Sequence, residues 1–391
     1  MIQAAIRTQD LGEYYFSKKL AEIDRLNEDG ADIINLGIGN PDLLPPPNAV
    51  QQLMYSAAQP GNNGYQSYRG IPELRSAFAA WYDQFYGISL KPEDEILPLM
   101  GSKEGIMHIS LAFLNPGDEV LIPDPAYPTY QSVSKLVGAD IKTYSLSENN
   151  DWYPDFDELE AMDLSKVKIM WVNYPNMPTG KKASRDLFQR LVDFGIRHEI
   201  LICNDNPYSF ILNDDPISIF EIPEAKEVAL ELNSLSKSHN MAGFRVGMVA
   251  GKSEYIHSIL KIKSNMDSGM YKPVQLAAVK ALENNTDWYE SINNEYKRRR
   301  EVVFEIFDEL NAHFDKDQGG LFIWAKIPNT FKNAFECSDK FLSDARIFIT
   351  PGGIFGKGGD AYLRISLCNP VEVLNESLQR VKKLKEKEQW V

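Results

Sequence analysis

The stretch Ser234-Leu-Ser-Lys237-Ser-His-Asn-Met-Ala-Gly-Phe-Arg245 sets a lysine among small hydroxyl residues, with no acidic neighbour and an arginine eight positions on. The lysine amine can form a Schiff base with an aldehyde, and Ser234 and Arg245 can hold a phosphate carried by the same small molecule. A solvated loop can look the same in isolation, so the rest of the chain decides.

The chain has 391 residues, 43% of them hydrophobic and 25% charged, enough for a large core and for more than one domain. Its net charge of −14 argues against a broad surface for nucleic acid or acidic lipid, so any phosphate must be held locally. Cys203, Cys337 and Cys368 lie far apart without Cys-x-x-Cys spacing, which points away from a disulfide framework or a zinc cluster. The N-terminus shows no signal-peptide run, and no stretch approaches the roughly 20 apolar residues of a membrane span. The expectation is a soluble cytoplasmic protein with no nucleic-acid or membrane partner.

From about residue 95 to 235, short β-rich runs at 96–100, 120–122, 168–172, 200–204 and 228–232 alternate with helical stretches. That alternation is the pattern of βα units in a mostly parallel sheet with helices on both faces, an α/β fold. Residues 102–114 and 185–194 read as amphipathic helices of this set. After about residue 285 the character changes to a long charged helix at 288–310, a strand at 321–325, a helix at 338–344, strands at 347–350 and 362–367, and a closing helix at 371–387. This is a smaller α+β domain. The proline-rich residues 43–47 should break regular structure, so the expected division is 1–44 (N-terminal arm and part of the small domain), 45–284 (large domain) and 285–391 (small domain).

Candidate site residues fall where these strands end. Gly101-Ser102-Lys103 begins a helix, and its free amides, hydroxyl and ammonium make an anion site; a tight turn with an N-cap serine is the alternative. Asp124-Pro-Ala-Tyr127-Pro-Thr-Tyr130 lies at a strand's carboxyl end, where open α/β sheets place ligands. Tyr127 can stack on a flat ring, whereas Tyr130 is assigned to loop packing. Asp205 ends another strand, and a buried carboxylate there needs a cationic partner such as a protonated pyridine nitrogen; Tyr208 can donate to an oxygen of the same ring, or the segment is an Asx-turn. Gly356-Lys-Gly-Gly-Asp-Ala361 leads into a strand and lacks the P-loop residues, so it reads as a plain loop. His108, His198, His239, His257 and His313 show no metal-ligand spacing, and no metal site is expected.

Taken in order, Tyr65…Gly70, Gly101-Ser-Lys103, Asp124-Pro-x-Tyr127, Pro178-Thr-Gly180, Asp205-x-x-Tyr208, Ser234-x-x-Lys237, Arg245 and Arg364-Ile-Ser-Leu resemble the class I/II aminotransferases. These are fold-type I pyridoxal-phosphate enzymes, with a large cofactor-binding domain and a smaller α+β domain. The match runs from about residue 37 to 370, and its specificity is collective. The resemblance implies pyridoxal 5′-phosphate as cofactor, Lys237 as its Schiff-base lysine and proton carrier, and Asp205 as partner of the ring nitrogen. It further implies Tyr127 stacked on the ring, Tyr208 donating to the phenolic oxygen, and Ser102, Lys103, Ser234 and Arg245 around the phosphate. Tyr65 would reach the neighbouring subunit's phosphate, implying a homodimer with shared sites, while Arg364 and Gly39 would meet the substrate α-carboxylate.

One residue departs from the pattern. Where the family carries an asparagine that donates to the phenolic oxygen, this chain has Met177, which cannot donate, and Asn173 or Asn176 would have to replace it. The function implied is a ping-pong exchange of an amino group between an L-amino acid and a 2-oxo acid in amino-acid metabolism. The alternatives are a lyase or synthase on the same scaffold, or a regulator keeping the fold as a binding module. Residues 268–273 lack the arginine that some dicarboxylate-specific relatives carry, leaving Lys272 as a substitute. Glu13-Tyr-Tyr-Phe16 resembles an arm that closes over bulky or diaminopimelate-like substrates, or packs as an anchor.

Overall fold

The computed structural model describes residues 2–8 and 15–387. Among these residues the strands are β1 (Ile34–Asn35), β2 (Ile96–Leu99), β3 (Glu119–Asp124), β4 (Asp140–Ser145), β5 (Val167–Val172) and β6 (Leu201–Asp205). They continue as β7 (Ala229–Ser234), β8 (Gly247–Gly251), β9 (Phe322–Lys326), β10 (Ile347–Phe348), β11 (Thr350–Pro351) and β12 (Tyr362–Ser366). The largest sheet has the order β2-β8-β7-β6-β5-β3-β4, and all its pairings are parallel except the two made by β8.

Alternate residues of the inner strands feed two separate cores, as expected of a parallel sheet covered on both faces. Met170 and Val172 of β5 pack with Phe78 and Leu191 from helices Pro72–Tyr86 and Arg185–His198. Ile169 and Trp171 pack with Ile106 and Ile256 from helices Ser102–Phe113 and Ser253–Lys263. The carboxylate of Glu231, buried in β7, is tolerated because it accepts from Tyr82 Oη, Ser218 Oγ and Asn204 Nδ2, each at 2.8 Å, and from the Ile219 amide at 3.1 Å.

The expected strands and the closing helix Val371–Lys387 are all present, with small shifts at most ends. Two strands of the main sheet escape the pattern. β4 is an edge strand, largely exposed and polar, and β8 is a short glycine-flanked run that turns antiparallel. The expected strand 347–350 is split: β10 pairs with β1 in parallel, whereas β11 joins β12 and β9 in an antiparallel sheet. Helix Ala334–Asp344 starts four residues before the expected 338, where Asn333 Oδ1 caps the Glu336 amide at 2.9 Å.

Residues 36–46 form neither helix nor strand, as their prolines require, and run as a strap from β1 to helix Pro47–Ala57. Arg299, buried on helix Thr286–Glu309, fixes the strap: Nη1 and Nη2 donate to Asp42 Oδ1 and Oδ2 at 2.6 and 2.9 Å, and Nη1 also reaches Leu367 O at 3.0 Å. Removing the carboxylate leaves these charge-assisted bonds to a buried guanidinium unmade. Asp42→Ala should therefore cost about 2 kcal/mol in denaturant unfolding; a change of about 0.5 kcal/mol, as for exposed ion pairs, would show that the strap is held otherwise.

Candidate functional site

The carboxyl ends of the parallel strands deliver the chemistry to one place. After β2, Gly101 takes φ +90°, strained for any residue with a Cβ, and turns the chain into the helix that starts at Ser102. β3 leads to Tyr127, β5 to Asn173, β6 ends on Asp205, and β7 ends on Ser234, whose hydroxyl accepts the Ser236 amide at 3.2 Å and starts the helical turn bearing Lys237. A cavity of about 370 Å³ opens there. It is lined by Lys237, Asp205, Tyr208, Ser102, Lys103, Tyr127, Ser234, Arg245, Gly39 and Arg364, all singled out from the sequence. Tyr65 lies elsewhere on this chain, 93% exposed beside residues 268–271.

Asp205 is buried, and Tyr130 donates to its Oδ2 at 2.8 Å while Oδ1 has no hydrogen-bond partner among the described residues. Burial raises the carboxyl from 3.8 to about 6, with the Tyr130 bond pulling the other way. Tyr130 therefore does more than pack: stacked on Trp171 at 5.0 Å, it holds the carboxylate, which its place beside two prolines did not reveal. Burial also pushes the phenol of Tyr208 up, so it stays a donor.

Two basic side chains meet the strap. Lys237 Nζ donates to Gly39 O at 2.8 Å, and Arg364 Nη2 donates to Gly37 O at 2.8 Å. Burial lowers the Lys237 pKa, opposed by Cys368 and helped by Arg364 and Arg245, which favours the neutral nucleophilic amine. The Arg364 guanidinium lies over the rings of Phe322 at 3.8 Å and Phe355 at 4.7 Å. A Cβ on Gly39 would sit 2.1 Å from Phe322 Cζ, so the strap approaches this closely only as glycine.

On the other flank, Arg245 Nη1 donates to Ala242 O at 2.9 Å and Nη2 to Met100 O at 3.3 Å, bracing the Gly101 turn. Helix-start amides at Ser102, the hydroxyls of Ser102 and Ser234, Lys103 and Arg245 together suit a dianion such as a phosphate monoester.

Met177 lines the cavity, and its Sδ accepts from Arg364 Nη1 at 3.3 Å. Asn176 does not line it and is spent on Thr179 and Asn173 O; Asn173 does line it, but bonds Asp205 O and the Met177 amide. Lys272 is not in the lining; Glu13 and Tyr14 lie outside the described residues, although Leu20 of the helix Tyr15–Glu28 reaches the cavity. Phe322 and Phe355, missed in the sequence, carried no signal beyond being apolar. His108 pairs with Glu104 at 2.7 Å near Asp267, which Lys263 already engages at 2.6 Å.

The family model described as aminotransferase class I and II matches residues 31–381. LL-diaminopimelate aminotransferase of Dehalococcoides mccartyi is 39% identical over 97% of this chain and 98% of its own. The enzyme of that name from Aquifex aeolicus is 38% identical over 98% and 100%. Among solved structures, BacF of Bacillus subtilis superposes with a TM-score of 0.94 at 35% identity, covering 98% of each chain. An aromatic aminotransferase from Pyrococcus horikoshii gives 0.87 at 30%, covering 94% of this chain and 100% of its own.

The raised Asp205 pKa carries a sign. The folded state holds this proton more tightly than the unfolded one, so its stabilising contribution is complete below about 3.8 and is lost as pH rises through about 6. In ligand-free protein, Asp205→Asn should flatten part of the fall in thermal midpoint between about pH 4 and pH 7. Parallel curves for variant and wild type would count against the assignment.

Proposed function

This chain belongs to the aminotransferase class I and II family, and we propose that its cavity binds pyridoxal 5′-phosphate to move an amino group between an L-amino acid and a 2-oxo acid. The observation that carries the cofactor is Asp205. A buried carboxylate with one oxygen unpaired and its pKa pushed to about 6 calls for a cationic N–H, which a protonated pyridine ring supplies. The relatives are named as aminotransferases, which favours this reading over a lyase or synthase.

When bound, the cofactor contributes an aldehyde that joins the substrate amine and a ring that accepts the electron pair left at Cα. The chain does the rest. Ser102, Lys103, Ser234 and Arg245 would hold the phosphate, Tyr127 would stack on the ring, and Tyr208 would donate to its phenolic oxygen. Lys237 Nζ, kept available as the neutral amine by burial, would take the Cα proton and return it to the carbon that carried the cofactor's aldehyde. Arg364 pairs with the α-carboxylate beside the Gly39 strap and fixes the Cα–H bond towards Lys237. Amino acid enters and 2-oxo acid leaves, then the reverse with a second pair, in ping-pong order.

The architecture supports a division into 1–44 (arm and part of the small domain), 45–284 (large domain) and 285–391 (small domain), since β1 pairs with β10 while the large sheet lies between residues 96 and 251. We place the protein as a homodimer: Tyr65, Tyr271, Met54 and Met266 are exposed large side chains, and Tyr65 would serve the neighbour's phosphate. Three buried free cysteines suit a reducing cytoplasm, and no described helix is long and apolar enough to cross a membrane. The relatives' name puts LL-diaminopimelate first among amino donors.

A panel of amino donors, scored by loss of the cofactor's visible band, identifies the substrate. Supplied with one donor and no acceptor, the enzyme should release about one 2-oxo acid per chain and stop, and Lys237→Ala should lower turnover by about a thousandfold or more. Continued product release without an acceptor would point to the lyase instead.

A further inference from the structure

Four basic side chains, Lys182, Lys297, Arg300 and Lys316, converge on a second cavity of about 240 Å³ that shares no residue with the one around Lys237. They come from separate segments. Lys182 precedes helix Arg185–His198, Lys297 and Arg300 lie three apart on helix Thr286–Glu309, and Lys316 precedes β9. The walls are fixed to one another, because Gly319 N donates to Gly180 O at 2.8 Å, Gly320 N to Ile211 O at 2.7 Å and the Leu212 amide to Asn293 Oδ1 at 2.8 Å.

Charge in this cavity is unbalanced. Its four cations face two carboxylates, Asp317, which Lys182 engages, and Asp214, on a chain whose net charge is −14. Among the described residues Lys297, Arg300 and Lys316 have no carboxylate within ion-pair distance, and Arg300 Nε is shielded from solvent without a hydrogen-bond partner. The Arg300 guanidinium and the Lys316 ammonium lie 5.5 and 6.0 Å from the centre of the same buried Phe304 ring, which brings both cations to one rigid surface. Lys297 shares a helix face with Arg300, where like charges three apart repel unless an anion lies between them.

We propose that this cavity is a second anion site, taking a phosphate group either free or carried by a small molecule. Two surplus positive charges match a dianion better than a single carboxylate, and a guanidinium pairs with two phosphate oxygens at once. The bound anion would join helix Thr286–Glu309 and the approach to β9 to the segment that follows the Pro178-Thr-Gly180 turn.

Inorganic phosphate and methyl phosphate, titrated by calorimetry at fixed ionic strength into protein saturated with pyridoxal 5′-phosphate, test this with the anion subsite of the main cavity already filled. Wild type should bind one phosphate per chain, and the dissociation constant should rise about tenfold in Arg300→Gln and about threefold in Lys316→Gln. Arg298→Gln, which alters an exposed arginine paired with Glu295 outside this cavity, should bind as wild type does. Phosphate at ten times its dissociation constant should raise the thermal midpoint of wild type by about 2 °C, and that of Arg300→Gln by less than about 1 °C at the same concentration. Tighter binding of methyl phosphate assigns the site to a phosphomonoester, and equal or weaker binding to the free ion. No saturable heat in wild type, or equal weakening in Arg298→Gln, would overturn the proposal. Loss of binding in Arg245→Gln with Arg300→Gln unaffected would place the ion in the main cavity and overturn it too. If Arg300→Gln fails to fold, Lys316→Gln, a change at an exposed lysine, decides by the same comparison.

Discussion

Two backbone carbonyls two residues apart, Gly37 O and Gly39 O, receive the N–H groups of the Arg364 guanidinium and the Lys237 amine. Neutral carbonyls satisfy the N–H groups without adding a negative charge, so the Arg364 guanidinium keeps most of its electrostatic reach for an anion and the neutral Lys237 amine keeps its lone pair for an electrophile. Everything around serves that arrangement. The strap must pass within van der Waals distance of Phe322 and of the Lys237 turn, which glycine permits, and the Asp42–Arg299 pair keeps it there.

The electrostatics of the cavity come from opposite treatments of similar groups. Glu231, one strand over, has four donors and no role at a surface, whereas Asp205 is given one phenol and an open oxygen. Both carboxyls are raised by burial, but only Asp205 sits at a strand end, where a ligand can complete its hydrogen bonding. Unmet demand of this kind marks a binding site more firmly than the presence of a charged residue does.

Much of this was legible in the chain. β5, β6 and β7 are largely buried and carry runs of apolar residues broken by few polar ones, so they stand out without tertiary knowledge. β4 and β8 did not, because an exposed edge strand and a glycine-bounded five-residue strand are set by their neighbours' hydrogen bonds, not by periodicity. Ten residues that line the cavity could be named, some because reactive types follow strand ends and others, such as Gly39 and Arg364, only through the resemblance of the motifs; Phe322, Phe355 and Tyr130 could not, since aromatic side chains have the same signature in a site and in a core.

The sequence by itself determined which reactive groups are available: an amine at Lys237, a carboxylate at Asp205, a guanidinium at Arg364, which the structure brings to one cavity. It also exposed Met177 as a departure. Only the tertiary structure decided what that residue meets, because the bond from Arg364 Nη1 to Met177 Sδ joins residues 187 positions apart. Local propensity and spacing encode elements and strand ends; which side chain accepts from which donor across the cavity depends on how separately formed sheets and the strap are packed together.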